Sequence, residues 1–199
     1  MKIIIVGNNY AERPELRTDT PLISFKPDSA LVRDGKPFFL PDFSTRIEYE
    51  FSVVVRVDRL GKCISPKFAH RYYQEVTVGI DWTARDLQEQ LQQQGWSWEL
   101  SKCFDNSAAL GEFVPLSEVG GDIQHLPFRL DIDGQTVLQG DTAQMNHRVD
   151  DTLAYISRYM TLKMGDLLYT GSPSAGSATI GQHLEGYLAG RKLLDFHVR

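Results

Sequence analysis

The segment Ile47–Val57, reading IEYEFSVVVRV, constrains this chain most. Its β-branched and aromatic residues specify a strand. Side chains alternate along a strand, so Tyr49, Phe51, Val53 and Val55 share one face and Glu48, Glu50 and Ser52 the other. The first face belongs in a core. The second carries two carboxylates roughly 7 Å apart at the backbone, which repel unless something positive stands between them.

The flanking sequence continues in short strands and turns. Lys2–Val6 reads as a buried strand. Asn8–Leu31 reads as a polar loop, because Pro14, Pro21 and Pro27 exclude a helix. Phe38–Pro41 is a candidate edge strand. Ser65-Pro66 opens a helix to about Glu75, with Ser at the N-cap and Pro in the first turn. Val76–Asp81 is a strand, and Thr83–Gln94 a helix stopped by Gly95. Phe128–Leu138 forms a hairpin about Asp133-Gly134. Asp150 caps a helix with Leu153, Ile156 and Met160 on one face. Gly165–Thr170 is a buried strand, and Leu184–Val198 holds two strands about Gly190-Arg191. Repeats, charge blocks and linkers are absent. Residues 1–199 read as a single α+β, β-rich domain with a few peripheral helices.

Composition excludes several classes. There are 21 Lys and Arg against 26 Asp and Glu, a net charge of −5, which argues against nucleic acid or an anionic membrane as partner. The two cysteines, Cys63 and Cys103, form no CxxC and read as reduced. No apolar run reaches the about 18 residues of a membrane span, and the N-terminal run Ile3–Val6 is too short for a signal segment. The expectation is a cytoplasmic protein. Phosphate-loop, dinucleotide and nucleophile-elbow motifs are missing. The five histidines, His70, His125, His147, His183 and His197, show no metal-ligand spacing.

Four places carry potential chemistry. Glu48 and Glu50 suit a hard divalent cation, or else a solvated sheet face. Asp81 ends a strand, and Arg85 and Gln88 share a face of the following helix. A guanidinium fork there suits a substrate carboxylate, while Asp81 or Thr83 as a mere N-cap is the plainer alternative. Lys102, among apolar residues, can hold an anionic oxygen or an enolate, or simply be solvated. Thr170-Gly171-Ser172-Pro173 offers a hydroxyl and backbone N–H groups to an anion, or is an ordinary turn.

Taken in order, these segments resemble the fumarylacetoacetate hydrolase family. The match comprises Gly7–Glu12, Phe25-Lys26-Pro27, Glu48-Tyr49-Glu50, Gly79–Gln88 with its D-x-T-A-R-D-x-Q block, Trp98–Asp105 and Leu162–Pro173. Small members acting on acylpyruvates or as 2-hydroxyhepta-2,4-diene-1,7-dioate isomerases are the most similar kind. The resemblance implies a mixed β-sandwich roll and a homodimer. It implies a divalent ion, Mg²⁺ foremost with Mn²⁺ or Ca²⁺ as alternatives, held by Glu48, Glu50 and Asp81. It implies a small 2-oxo acid substrate bound by Arg85, Thr170 and Tyr10, with Lys102, Gln88 and Glu15 as catalytic groups acting through an enolate. That intermediate is common to hydrolysis, tautomerisation and decarboxylation.

Two departures matter. Hydrolytic relatives read N-Y-x-x-H, where the histidine activates water with a nearby glutamate; here the position is Arg13. Arginine stays protonated and cannot be a general base, and Glu12 or Glu15 is the available substitute. The T-G-T-P-x-G-V-G loop reads Thr170-Gly171-Ser172-Pro173-Ser174-Ala175-Gly176-Ser177. The expectation therefore shifts from C–C hydrolysis toward isomerisation or decarboxylation. A binding protein of the same fold that has lost turnover is the alternative.

Overall fold

The structure is a computed structural model, described here for residues 1–10 and 18–199. Glu12, Arg13 and Glu15 lie outside the described residues. The strands are β1 (Ile3–Gly7), β2 (Leu22–Lys26), β3 (Leu31–Val32), β4 (Ile47–Val57), β5 (Tyr73–Ala84), β6 (Ala108–Leu110) and β7 (Val114–Pro115). They continue as β8 (Pro127–Ile132), β9 (Gln135–Asp141), β10 (Leu167–Tyr169), β11 (Ala175–Ser177), β12 (His183–Leu188) and β13 (Arg191–His197). The α-helices are α1 (Pro66–Ala69), α2 (Arg85–Gln93) and α3 (Val149–Tyr159).

A large mixed sheet runs β2-β1-β10-β4-β5-β6-β3, with β11 on β4 and β7 on β5; a smaller sheet runs β13-β12-β8-β9. The β1–β10 and β3–β6 pairs are parallel and the rest antiparallel. This β-rich pair of sheets with few helices is the expected fold class. No described helix is long and apolar enough to cross a membrane.

The period-two pattern of β4 decides where the core lies. Tyr49, Phe51, Val53 and Val55 share one core cluster with Phe128, Leu130, Leu184, Leu194 and Phe196 of the small sheet, and the Phe51 and Phe128 rings lie 6.0 Å apart. The opposite face of β4 is covered too, but only over its middle. Val54 joins Ile3, Ile5, Ala108, Leu110, Leu167 and Tyr169 in a second apolar cluster, and Ser52 is buried. Cover ends before Glu50, so Glu48 and Glu50 keep about a quarter of their side-chain surface in solvent. The open end of a strand otherwise buried on both faces is where the polar site sits.

Several sequence boundaries move. β5 continues to Ala84, because Glu48 pairs with Thr83 and Ile47 with Ala84. The helix therefore starts at Arg85 with no side-chain cap, and neither Asp81 nor Thr83 caps it. The helix expected to reach Glu75 stops at Ala69, passes through a 3-10 turn at His70–Tyr72, and enters β5. The expected loop Asn8–Leu31 contains β2, which pairs along all of β1. Phe38–Pro41 contributes a single bridge, Phe38 to Val198. Asp150 does not cap α3, whose N-cap is Arg148; its carboxylate accepts the Tyr73 hydroxyl at 2.8 Å.

Candidate active site

The β4–β5 register sets Glu50 directly opposite Asp81 and Glu48 opposite Thr83. Directly opposed side chains on one face are near neighbours, so three carboxylates converge where β4 loses its cover. Arg85, the first residue of α2, returns toward them. Its Nε donates to Glu48 Oε2 at 2.8 Å, its Nη2 stands 3.9 Å from Glu50 Oε1, and its Nη1 donates to Gln88 Oε1 at 2.7 Å. The start of α2 is pinned by Asp86, which accepts from Ser44 Oγ at 2.5 Å, Thr45 N at 2.7 Å and Leu87 N at 2.8 Å. Burial pushes the Asp86 carboxyl up, but these donors outweigh it and hold the group well below the usual carboxylate range.

Two lysines complete the cluster. Lys102 follows a 3-10 turn at Glu99–Ser101. Its Nζ lies 2.7 Å from Asp81 Oδ2, donates to Thr83 Oγ1 at 2.8 Å, and stands 3.6 Å from Glu50 Oε2. Lys26, at the end of β2, lies 2.8 Å from Asp81 Oδ1 with its side chain fully buried. Apart from these two ammonium groups, neither Asp81 oxygen has a hydrogen-bond donor among the described residues. Burial raises the Asp81 carboxyl, but Lys102 and Lys26 outweigh it, so Asp81 is an anion. Burial lowers Lys102, but Asp81 and Glu50 outweigh it and the ammonium persists. Lys26 goes the other way: burial dominates over Asp81, and Lys102 lowers it further.

Glu48, Glu50 and Asp81 thus meet Arg85, Lys102 and Lys26, and Arg46, 3.6 Å from Glu48, is itself paired with Glu89, so the cluster is neutral by itself. Its donors toward a metal are all carboxylate oxygens, the set a hard divalent cation prefers. Two of the three carboxylates reach solvent, so the residues fit such an ion in kind. They are not drawn tightly together, because Arg85 and Lys102 stand between them. Among the described residues the group of three whose ligand atoms all lie within 4.8 Å of one another is elsewhere: His183, Glu185 and Asp195 on the outer face of β12–β13. There Lys192 already pairs with Glu185 at 3.0 Å and Asp195 at 2.6 Å.

The other sequence candidates form an adjoining set. Thr170 is buried, and its hydroxyl donates to Val53 O at 2.9 Å, bracing the chain end of β10. Asn9 Nδ2 donates to Thr170 O at 2.7 Å, and Asn9 Oδ1 accepts from His147 N at 2.7 Å. Tyr10 is buried edge-on to Phe128, its hydroxyl finds no hydrogen-bond partner among the described residues, and burial drives its pKa up. From Thr170 the chain runs back along β4: Ser172 Oγ accepts from Phe51 N at 3.1 Å, and β11 pairs Ala175 with Glu50 and Ser177 with Glu48. Glu48, Glu50, Asp81, Arg85, Gln88 and Lys102 are therefore brought together. Thr170 is tied to Asn9, the neighbour of Tyr10, and reaches the cluster through β4. Glu15 lies outside the described residues. Lys26 carried no assigned role in the sequence; the signal was the Phe25-Lys26-Pro27 match.

Comparison with known proteins identifies relatives along nearly the whole chain. The family described as fumarylacetoacetate (FAA) hydrolase C-terminal matches residues 2–197. Oxaloacetate tautomerase YcgM of Escherichia coli (strain K12) is 32% identical over 176 residues, which covers 86% of this chain and 80% of that protein. The crystal structure of fumarylpyruvate hydrolase from Pseudomonas aeruginosa in complex with Mn²⁺ and pyruvate superposes with TM-score 0.90 at 30% identity, covering 100% of this chain and 88% of that one. The 2-hydroxyhepta-2,4-diene-1,7-dioate isomerase from Mycobacterium marinum gives TM-score 0.85 at 28% identity, covering 99% and 73%. With its fold, its strand-end cluster and a match along nearly its whole length, the chain belongs to the fumarylacetoacetate hydrolase family of enzymes.

Proposed function

We propose that this protein is a divalent-metal-dependent tautomerase of a small 2-oxo dicarboxylate, with oxaloacetate as the substrate to test first. The observation that carries this reading is the charge balance at the β4 end. Three carboxylates and three cations cancel, and Arg46 beside Glu48 is offset by Glu89, so a divalent ion would leave two positive charges, the complement of a dicarboxylate dianion. When bound, such an ion, Mg²⁺ by expectation with Mn²⁺ and Ca²⁺ compatible with the same oxygens, supplies positive charge beside the 2-oxo group and favours the enolate.

The protein's own groups do the rest. Arg85, held by Glu48 and Gln88, offers its remaining N–H donors as a planar fork to a substrate carboxylate. The Gln88 carbonyl is taken by Arg85, which leaves its amide NH₂, without an acceptor among the described residues, for a second substrate oxygen. Lys102 spends two N–H bonds on Asp81 and Thr83 and keeps the third for the developing enolate oxygen. Tyr10 and Thr170 wall the site from the β10 side. Glu15 would take the proton from carbon and return it to the enolate oxygen, which turns keto into enol, and the reverse order turns enol into keto.

Tautomerisation is favoured over cleavage because it needs no activated water, and Arg13 replaces the histidine of hydrolytic relatives. The same replacement supports a second reading, a ligand-binding protein without turnover. One preparation tests both. Mg²⁺ or Mn²⁺ with oxalate, an enolate mimic, is expected to raise Tm, by an amount equal to about 2.7 kcal/mol at a hundredfold excess over Kd. Oxaloacetate tautomerisation is expected above oxaloacetate decarboxylation and acylpyruvate cleavage. Oxalate binding with all three activities at background selects the binding protein, and fast cleavage overturns the inference from Arg13. The homodimer belongs to the same proposal and is tested by sedimentation equilibrium.

A further inference from the structure

We propose that Lys26 is a positioning residue of the site, one that fixes both the Asp81 carboxylate and the backbone carrying Lys102. The inference rests on the preceding reading that Asp81 and Lys102 form part of the site. Lys26 itself touches no substrate: its side chain is fully buried, on the side of Asp81 away from Lys102's contact.

Four segments meet at its Nζ. It takes Asp81 Oδ1 at 2.8 Å, while Lys102 takes Oδ2 at 2.7 Å, so the carboxylate is held from both sides and cannot turn about its Cβ–Cγ bond. It reaches the carbonyl of Trp82 at 2.9 Å, the next residue of β5. It also reaches the carbonyl of Lys102, and Ser107 Oγ at 3.0 Å; that hydroxyl in turn donates to the Lys102 carbonyl at 2.7 Å. One ammonium therefore ties β2 to β5, to the Lys102 turn and to the segment entering β6.

Fold stability alone does not account for such a group. An ammonium withdrawn from water is expensive, and well-packed apolar side chains often serve a core equally well or better. What the apolar alternative cannot do is bind one oxygen of Asp81 and the main chain of Lys102 at once. Without Lys26, Asp81 Oδ1 has no donor, and the carboxylate is free to turn both oxygens onto Lys102. That would draw the Lys102 ammonium away from substrate and misdirect Asp81 as a ligand.

Lys26→Met tests this in the full-length protein, with far-UV circular dichroism and cooperative melting to establish that it is folded. The expected result is Mn²⁺ affinity, followed by electron paramagnetic resonance, weakened about 10–100-fold, the range typical for groups that orient metal ligands. The kcat for oxaloacetate tautomerisation falls by a similar factor while KM changes little. A folded variant with unchanged Mn²⁺ affinity and kcat overturns the proposal, since a purely structural role moves only the melting temperature. Tighter Mn²⁺ binding overturns it too, because Lys26 would then act only by repelling the ion. Should Lys26→Met fail to fold, Ser107→Ala removes the hydroxyl shared by Lys26 and Lys102. Smaller losses in the same two readouts are expected, and no change in either refutes the proposal. Wild-type protein that binds no Mn²⁺ overturns the metal-site reading and the positioning role together, whereas Mn²⁺ binding unaffected by the substitutions overturns the positioning role alone.

Discussion

Asp81→Asn separates the electrostatics of the cluster from its packing, because the amide has the carboxylate's shape without its charge. Two ammonium groups lose their shared anion. Lys102 retains Glu50 at 3.6 Å, but among the described residues Lys26 has no second carboxylate, and its side chain is fully buried. An asparagine offers one carbonyl to two cations and turns its NH₂ toward one of them. At the observed 2.8 Å separation, Coulomb attraction at an effective dielectric of 20 is about 6 kcal/mol. Breaking buried pairs by removing one partner costs about 3–5 kcal/mol. We expect the lower range, which leaves the variant folded if its stability is the typical about 5–15 kcal/mol. For a chain of this size that corresponds to a Tm lower by about 6–20 °C. Urea unfolding at pH 7 checks it through a lower midpoint at unchanged m. A loss below about 1 kcal/mol would refute the reasoning, since the ammonium groups would then be hydrated rather than paired. The double variant Lys26→Met/Asp81→Asn adds a sign test: removing the stranded cation should make it more stable than Asp81→Asn alone.

Further outcomes follow from other parts of the structure. Glu50→Gln should weaken Mn²⁺ binding at least about tenfold by titration, yet change stability by less than about 1 kcal/mol, because Glu50 is a quarter exposed; gross unfolding would make the glutamate pair structural. Asp86 has a depressed carboxyl pKa in the folded state, so its stabilisation is fully present above about pH 4 and fades as pH falls through the folded-state value. The stability gap between wild type and Asp86→Asn should therefore narrow below about pH 4, read by urea midpoints between pH 2 and pH 6; a gap independent of pH contradicts this. At Gly79 an added Cβ would meet Ala109 O and Tyr169 Cε1, each at 2.7 Å. Gly79→Ala should cost about 1–3 kcal/mol by overpacking, and a neutral urea midpoint would show that the sheet gives way there.

The sequence was most legible where local pattern and tertiary role agree. β4 was readable to the residue because alternation, β-propensity and burial all point one way along Ile47–Val57. The hairpin β8–β9 followed from Asp133-Gly134, both left-handed in the structure. β6 was not readable: Ala108-Ala109-Leu110 has no strand preference, and pairing with Gly79–Asp81 makes it one. The start of α2 was misplaced because Thr83 and Ala84 have helix-compatible chemistry but are held by Glu48 and Ile47 across the ladder. In the site, Glu48, Glu50, Asp81, Arg85 and Gln88 lie in or beside one ladder and were legible as a group. Lys26 was visible only as part of the Phe25-Lys26-Pro27 match, with no role attached to it. Its burial depends on β1, β5 and the Lys102 turn, which meet only in the folded chain.

The position of β10 has a consequence for synthesis. This three-residue strand lies between β1 and β4, pairing Leu167 with both Ile3 and Arg56. Until it emerges, the first two strands and the long β4–β5 pair share no ladder, and each exposes an open hydrogen-bonding edge. Roughly 110 residues separate Val57 from Leu167, so at about 5–20 residues per second those edges stay open for about 5–20 s. Unpaired edges are templates for aggregation, so the nascent chain's hazard is concentrated in that interval. A product terminated ahead of Leu167 would never leave it, which makes aggregation, rather than a partly active fragment, the fate of such truncations.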